Sequence, residues 1–407
     1  MEKVVHQHTL SNGLHLIAEC CAQNASAALG FFVRTGARDE SAPEAGLSHF
    51  LEHMMFKGTP TRSTLDISFG LGNLAAQANA YTSEETTVFY SVVLPEYFAE
   101  MQDLLSDMLR PSLPQEEFDM EKKVILEEIA LYQDRPQFFL FENAISDYFG
   151  SHPAGKSVLG TTATVGAVSQ PQMKAYFDRR YAPSNMVLVA AGNIAAQAFF
   201  SDAEEHCAKW GDFTALREVK PYAPRLSSKE FQKKGINQSH LALITAGPSV
   251  QDEQRHELAV LAVILGDSVG SKLYWEIVDK GIAESAVCEV DVKDGTGVVI
   301  AYASMEPDRI GDVLERMHKV LAKPLDFSAT DLERAKTKFI SRMVLGGELP
   351  MGRLMALGNE WIYRREIHSL QREIKRIKSI TAQGIERALS DYPLKNWCEY
   401  RLVPMIN

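Results

Sequence analysis

Apolar residues recur with two different periods along this chain, and the switches between them outline its organisation. Residues 14–18 and 27–35 are dense in strand-forming side chains, with Asn12-Gly13 as a turn between an earlier strand and Leu14. A helical stretch follows, opening near Ser41 and closing at Gly58. Residues 86–93 alternate, with bulky side chains at Val88, Tyr90 and Val92, and predict a strand; Pro95 then opens a helix running to about Leu109. Residues 116–133 predict a further helix, because Phe118, Met120, Val124, Ile125, Ile129 and Leu131 recur at helical spacing. The same order returns in the second half. Residues 240–246 predict a strand, 258–265 a helix, 286–293 and 297–305 two strands, and 308–321 a helix after Pro307. The chain therefore reads as two α+β copies, residues 1–216 and 235–407. Residues 217–234, rich in Lys, Pro and Ser, read as the linker. Two unrelated α+β halves would give a similar order, so the repeat stands as an expectation.

The first helix carries candidate chemistry. Ser41 and Glu44 suit a capping box at its start, and Gly58 followed by Pro60 suits its end. At about 100° per residue, Leu47, Phe50, Leu51, Met54 and Met55 form one apolar stripe, and His49, Glu52 and His53 fall on the other side. Two histidines four apart, with a glutamate between them that can hold a water, make a zinc-hydrolase signature in the reverse order of H-E-x-x-H. Two solvated histidines on a helix surface would give the same pentad. A catalytic zinc needs a third protein ligand and an open position for water. On the 116–133 helix, Glu121 and Glu128 project near the middle of the apolar stripe, and Glu127 projects to solvent. A carboxylate aimed into a core is expensive unless a cation meets it. A metal would meet Glu128, and Glu121, two turns earlier, could accept a hydrogen bond from a ligand histidine. Buried ion pairs are the other reading of these two carboxylates. In the second half, the apolar run Leu258-Ala259-Val260-Leu261-Ala262 occupies the register of the pentad, so that copy lacks the site.

Composition narrows the setting. The chain has 407 residues, 45% of them hydrophobic, enough for two domains with cores of their own. No apolar run approaches the ~20 residues of a membrane span. The first ten residues show neither a basic nor an apolar leader region, so no secretory signal is expected. Cys20, Cys21, Cys207, Cys288 and Cys398 lack C-x-x-C or zinc-knuckle spacing and are expected to be reduced, as in a cytoplasm. A net charge of −11 argues against a nucleic-acid partner and is compatible with an interior that favours basic peptides.

Beyond the pentad, H-F-L-E-H-M-x-F-K-G-T is followed by Asn79-Ala80-Tyr81-Thr82 and by V-I-L-E-E at residues 124–128. Further matching segments are His152-Pro153-x-Gly155, Val158-Leu159-Gly160 and Tyr181-x-Pro183-x-Asn185-Met186 leading to Gly192-Asn193. Together these resemble the pitrilysin/insulinase family of zinc peptidases, and within it the small bacterial type similar to the mitochondrial processing peptidase β subunit. The resemblance implies an α+β fold of two homologous domains, each a mixed or antiparallel sheet packed with helices: a catalytic N-terminal domain and a degenerate C-terminal one. It implies one Zn²⁺ per chain on His49, His53 and Glu128, with Glu52 as general base and Glu121 as its supporting carboxylate. It implies a peptide substrate laid along an edge strand at Asn79, Ala80 and Tyr81. One departure is plain. Family members that work alone carry an Arg and a Tyr in the second half, where this chain has Val278 and Glu284. Neither side chain can donate to an oxyanion. The expectation is a catalytic subunit completed by a homologous chain bearing Arg and Tyr, or by a second copy of itself. A non-catalytic scaffold subunit is the alternative. The expected location is the bacterial cytoplasm, with the mitochondrial matrix as second choice.

Overall fold

The computed structural model describes residues 4–220 and 222–405. The chain begins with β1 (Val4–Thr9), β2 (His15–Cys20), β3 (Ala27–Val33), α1 (Leu47–Met54) and α2 (Thr64–Asn73). Then come β4 (Gln77–Thr82), β5 (Thr87–Val93), α3 (Phe98–Met108), α4 (Gln115–Asp134) and α5 (Pro136–Phe149). The first half closes with α6 (Thr162–Ala167), α7 (Gln170–Arg180), β6 (Met186–Gly192) and α8 (Ala196–Cys207). The second half starts with β7 (Ser228–Lys233), β8 (Ser239–Ala246), α9 (Arg255–Gly266), β9 (Ser285–Lys293) and β10 (Thr296–Met305). It ends with α10 (Ile310–Leu321), α11 (Ala329–Gly346), α12 (Pro350–Arg364), α13 (Leu370–Lys378), α14 (Ala382–Asp391) and β11 (Cys398–Pro404).

Among the described residues these strands form two mixed sheets, in the orders β1-β2-β6-β3-β5-β4 and β7-β11-β8-β10-β9. Setting β1 aside, the two orders match strand for strand. Each has one parallel pair, β2 with β6 and β7 with β11, and antiparallel pairs elsewhere. The expected α+β repeat is thus present as a repeated topology.

The chain forms two compact units, and they do not follow the cut expected at residues 217–234. The first unit holds residues 1–130, 156–218 and 345–367; the second holds 131–155, 219–344 and 368–407. The reason is where two amphipathic helices bury their apolar faces. In the first unit, Leu354, Leu357 and Ile362 of α12 pack on Ala28, Phe32, Val187 and Val189. In the second, Leu140, Ala144 and Tyr148 of α5 pack on Ala242, Ile244, Ile300 and Tyr400. The supposed linker also contains β7, paired in parallel with β11. Its first residue, Arg217, is buried in the first unit on the Asp39 carboxylate and the Glu85 carbonyl.

In the first unit every residue of β3 is buried, as expected of a strand covered on both faces. Ala28 and Phe32 face α12, while α1 and α3 pack on β5 and its neighbours. Two sequence expectations need correction. Met120, Val124 and Leu131, assigned to the apolar stripe of α4, are exposed. Only one face of that helix is covered, by the row Phe118, Glu121, Ile125 and Ile129. The Ser41–Glu44 capping box closes a separate short turn at Ala42–Glu44 and not α1, whose N-cap is Gly46. No helix among the described residues is long and apolar enough to cross a membrane.

The α12 contact gives a test. A Cβ on Gly358 would lie 2.3 Å from the buried ring of Phe32. Gly358→Ala is expected to destabilise the protein by about 1–3 kcal/mol through overpacking, read from denaturant unfolding.

Candidate metal centre

Helix α1 is short, and its start is fixed from outside. Gly46 sits in the left-handed region at φ 93°, where a Cβ would also lie 2.5 Å from the Leu159 carbonyl. Glu40 then supplies what the helix lacks: its carboxylate accepts from Gly46 N–H at 2.9 Å and Ser48 N–H at 2.6 Å. Lys156 donates to the Glu40 carbonyl, and the Ser48 and Tyr176 hydroxyls are bonded at 2.7 Å. With both its N-terminus and its apolar face held, α1 aims His49, Glu52 and His53 at α4 and β4.

The side chains expected to bind metal do converge. His49 Nε2 lies 3.8 Å and His53 Nε2 3.6 Å from Glu128 Oε2, and the three ligand atoms lie within 4.8 Å of one another. Tetrahedral zinc with bonds of about 2.1 Å would hold ligand atoms roughly 3.4 Å apart, so this set fits with a small contraction. His53 Nδ1 bonds to Glu121 Oε1 at 2.8 Å, which leaves Nε2 as the nitrogen facing Glu128. The second Glu121 oxygen pairs with Lys57 Nζ at 2.6 Å. Glu127 is exposed.

The local charge also suits a dication. Three carboxylates, of Glu52, Glu121 and Glu128, gather around two imidazoles, with Lys57 as the ammonium among them. Burial pushes the Glu52 carboxyl up and the Glu128 charge adds to this, against the pull of the Thr82 bond and the His53 charge. Burial opposes charge on His53, but the Glu121 bond and the charges of Glu52, Glu121 and Glu128 outweigh it and raise its pKa. Burial, followed by the charge of His53, pushes His49 down to about 4. The His53 bond, helped by Lys57, pulls Glu121 down to about 2.

The residues expected to hold substrate lie on β4, an edge of the first sheet. Their side chains divide by parity. Asn79 and Tyr81 are exposed on the face that carries Tyr90, and Tyr81 bonds with Asn359 of α12. Ala78, Ala80 and Thr82 are half-buried on the other face, where Thr82 Oγ1 donates to Glu52 Oε2 at 2.6 Å. Asn79 Oδ1 accepts from the Ala80 N–H. Three contributors escaped the sequence reading. Lys57 and Thr82 both stand in the matching motifs, but nothing local marks their partners. Glu40 acts from outside the helix it caps, whose start the sequence reading assigned to the Ser41–Glu44 box.

The sequence profile described as Insulinase (Peptidase family M16) matches residues 17–162, and that described as Peptidase M16 inactive domain matches residues 167–339. A zinc protease of Mycobacterium tuberculosis is 31% identical over 389 residues, covering 93% of this chain and 88% of that one. The zinc protease YmxG of Bacillus subtilis is 30% identical over 407 residues, covering 96% and 97%. The crystal structure of a protease from Helicobacter pylori shares the fold, with a TM-score of 0.91 and 19% identity over 99% of this chain and 100% of that one. The structure of a peptidase M16 inactive domain from Pseudomonas fluorescens also shares it, with a TM-score of 0.91 and 17% identity over 99% and 98%.

Glu40 gives a pH-dependent test. Burial raises its carboxyl from 4.5 to about 7, against the bonds from Ser48 and Gly46 and the Lys156 charge. A folded-state value above the unfolded one means that its contribution to stability is full below about pH 4.5 and is lost as pH rises through about 7. Glu40→Gln stays neutral and should lack that loss. Unfolding of the metal-free proteins across this range should show wild type losing more stability than the variant; equal losses would contradict the assignment.

Proposed function

The chain belongs to the insulinase family, peptidase family M16, and from that premise we propose that it is a zinc metalloendopeptidase hydrolysing peptides or unfolded segments. The observation that carries this reading is the convergence of His49 Nε2, His53 Nε2 and Glu128 Oε2 beside the buried carboxylate of Glu52. Zinc held by those three residues would supply a Lewis acid that polarises a water and the scissile carbonyl. The protein's own groups do the rest. Glu52 takes the proton of the attacking water and passes it to the leaving amine. Glu121 holds the ring of His53, and Lys57 holds Glu121. The open edge of β4 receives the peptide in extended form through main-chain hydrogen bonds, a mode that demands little of its sequence.

The reading includes a partner. Val278 packs against the core of the second unit, and the Glu284 carboxylate accepts from the Gln238 amide. Neither offers a donor to a developing oxyanion, so a homologous chain with Arg and Tyr at these positions would have to complete the site. The proposed location is the bacterial cytoplasm, consistent with bacterial relatives and with free thiols at Cys20, Cys21, Cys207, Cys288 and Cys398.

Metal analysis of the purified chain should find one zinc, removable by chelation together with hydrolysis of an unstructured protein such as casein. Glu52→Gln should keep the zinc and lose at least about a hundredfold in kcat. His49→Ala, His53→Ala and Glu128→Ala should each lose the metal. A chain without zinc, whose activity ignores Glu52→Gln, would instead be a scaffold subunit.

For the partner, the chain alone should hydrolyse weakly and gain about tenfold or more when mixed with a homologue carrying Arg and Tyr. Full activity in the isolated monomer would remove that part of the reading.

A further inference from the structure

We propose that Thr82 is a positioning residue for Glu52, so that the strand that receives the peptide also orients the base. The inference rests on the zinc peptidase reading above. Three observations carry it. The Thr82 hydroxyl donates to Glu52 Oε2 at 2.6 Å, a short charge-assisted bond to a carboxylate that is largely buried. That bond fixes one carboxylate oxygen, and a base needs only the other. Thr82 also stands at the end of an edge strand: it pairs with Thr87, and the turn back to β5 is pinned by the Ser83 hydroxyl, which accepts from the Glu85 and Thr86 N–H groups. Finally, the pleat aims Thr82 at α1, while Tyr81 and Asn79 point to the opposite face.

A free glutamate side chain has three rotatable bonds, and a proton acceptor displaced by about an ångström can cost two orders of magnitude in rate. One hydrogen bond from a strand held in register removes much of that freedom. A peptide added to the open edge of β4 would stiffen the strand further. Binding far along the peptide would then reach the base through Thr82, without any contact between the peptide side chains and Glu52.

Thr82→Val keeps the shape and removes the donor; Thr82→Ser keeps the donor. On the zinc-loaded chain, with its partner present if turnover needs one, Thr82→Val should lower kcat about tenfold with KM within about twofold, and Thr82→Ser should retain most of the wild-type kcat. Zinc content and Tm should match wild type in both. A readout independent of turnover is the affinity for a peptide hydroxamate, whose hydroxyl proton is taken up by the base when the group chelates the metal. It should weaken about tenfold in Thr82→Val and not in Thr82→Ser. Wild-type kcat and hydroxamate affinity in Thr82→Val, or a Thr82→Ser variant as impaired as Thr82→Val, would overturn the role of Thr82. Loss of zinc from either variant would overturn it as well, because the hydroxyl would then serve the metal pocket as a whole. If Glu52→Gln itself changes neither readout, the base assignment has failed, and that outcome is distinct from a failure of Thr82.

Discussion

Carboxylates taken out of water must be met by positive charge, and the first unit is arranged around that requirement. Glu121 and Glu128 lie on the covered side of α4, and Glu52 lies buried on α1. Lys57 answers Glu121, and a dication between His49, His53 and Glu128 would answer the rest. The same rule explains the anchoring of α1. A buried carboxylate, Glu40, is aimed at the two N–H groups that the helix start leaves open. Asp39 next to it is met by Arg180 and Arg217, and Glu85 by Arg38. The pocket is therefore held by a belt of paired charges as much as by apolar packing.

The second unit meets the same constraint on α9 with a guanidinium. Its sheet repeats the order of the first, and α9 occupies the place of α1. Nearly all of α9 is apolar and buried, from Leu258 to Gly266. Its one buried carboxylate, Glu257, accepts at both oxygens from Nη2 of Arg376 on α13. With a guanidinium in the cation's role, α9 closes over with Leu, Val and Ile, and its histidine, His256, is buried beside Glu373 of α13. The two sheets share a topology, and the convergence of His49, His53 and Glu128 belongs to the first unit.

Much of this was legible in the sequence, for identifiable reasons. The pentad declared itself by the four-residue spacing of its histidines around a glutamate, and the pair Glu121 and Glu128 because charge on the wrong side of a periodic pattern has few explanations. β2, β3, β5, β8, β9 and β10 were readable where burial on one or two faces imposed alternation or continuous apolarity, whereas β6 and β11 were not read as strands. β7 was missed because Ser228–Lys233 lies at a sheet edge, where both faces tolerate polar side chains. Met120, Val124 and Leu131 misled because period alone does not say how wide a helix's covered face is. The unit boundary was missed because an amphipathic helix announces that it has an apolar face but not which sheet it covers. α5 lies within the first half and α12 within the second, yet each packs with the strands of the other. Thr82 and Lys57 were invisible as contacts because hydrogen bonds across elements leave no spacing signal.

The parity of β4 carries one further implication. Thr82 meets Glu52 only because it lies an even number of positions from Ala78 and Ala80 on the α1 face. Inserting or deleting a single residue between Gln77 and Ser83 would leave an edge strand of nearly the same length and composition, yet would present the opposite set of side chains to α1. This short stretch can therefore change in length only in steps of two if Thr82 is to keep facing Glu52.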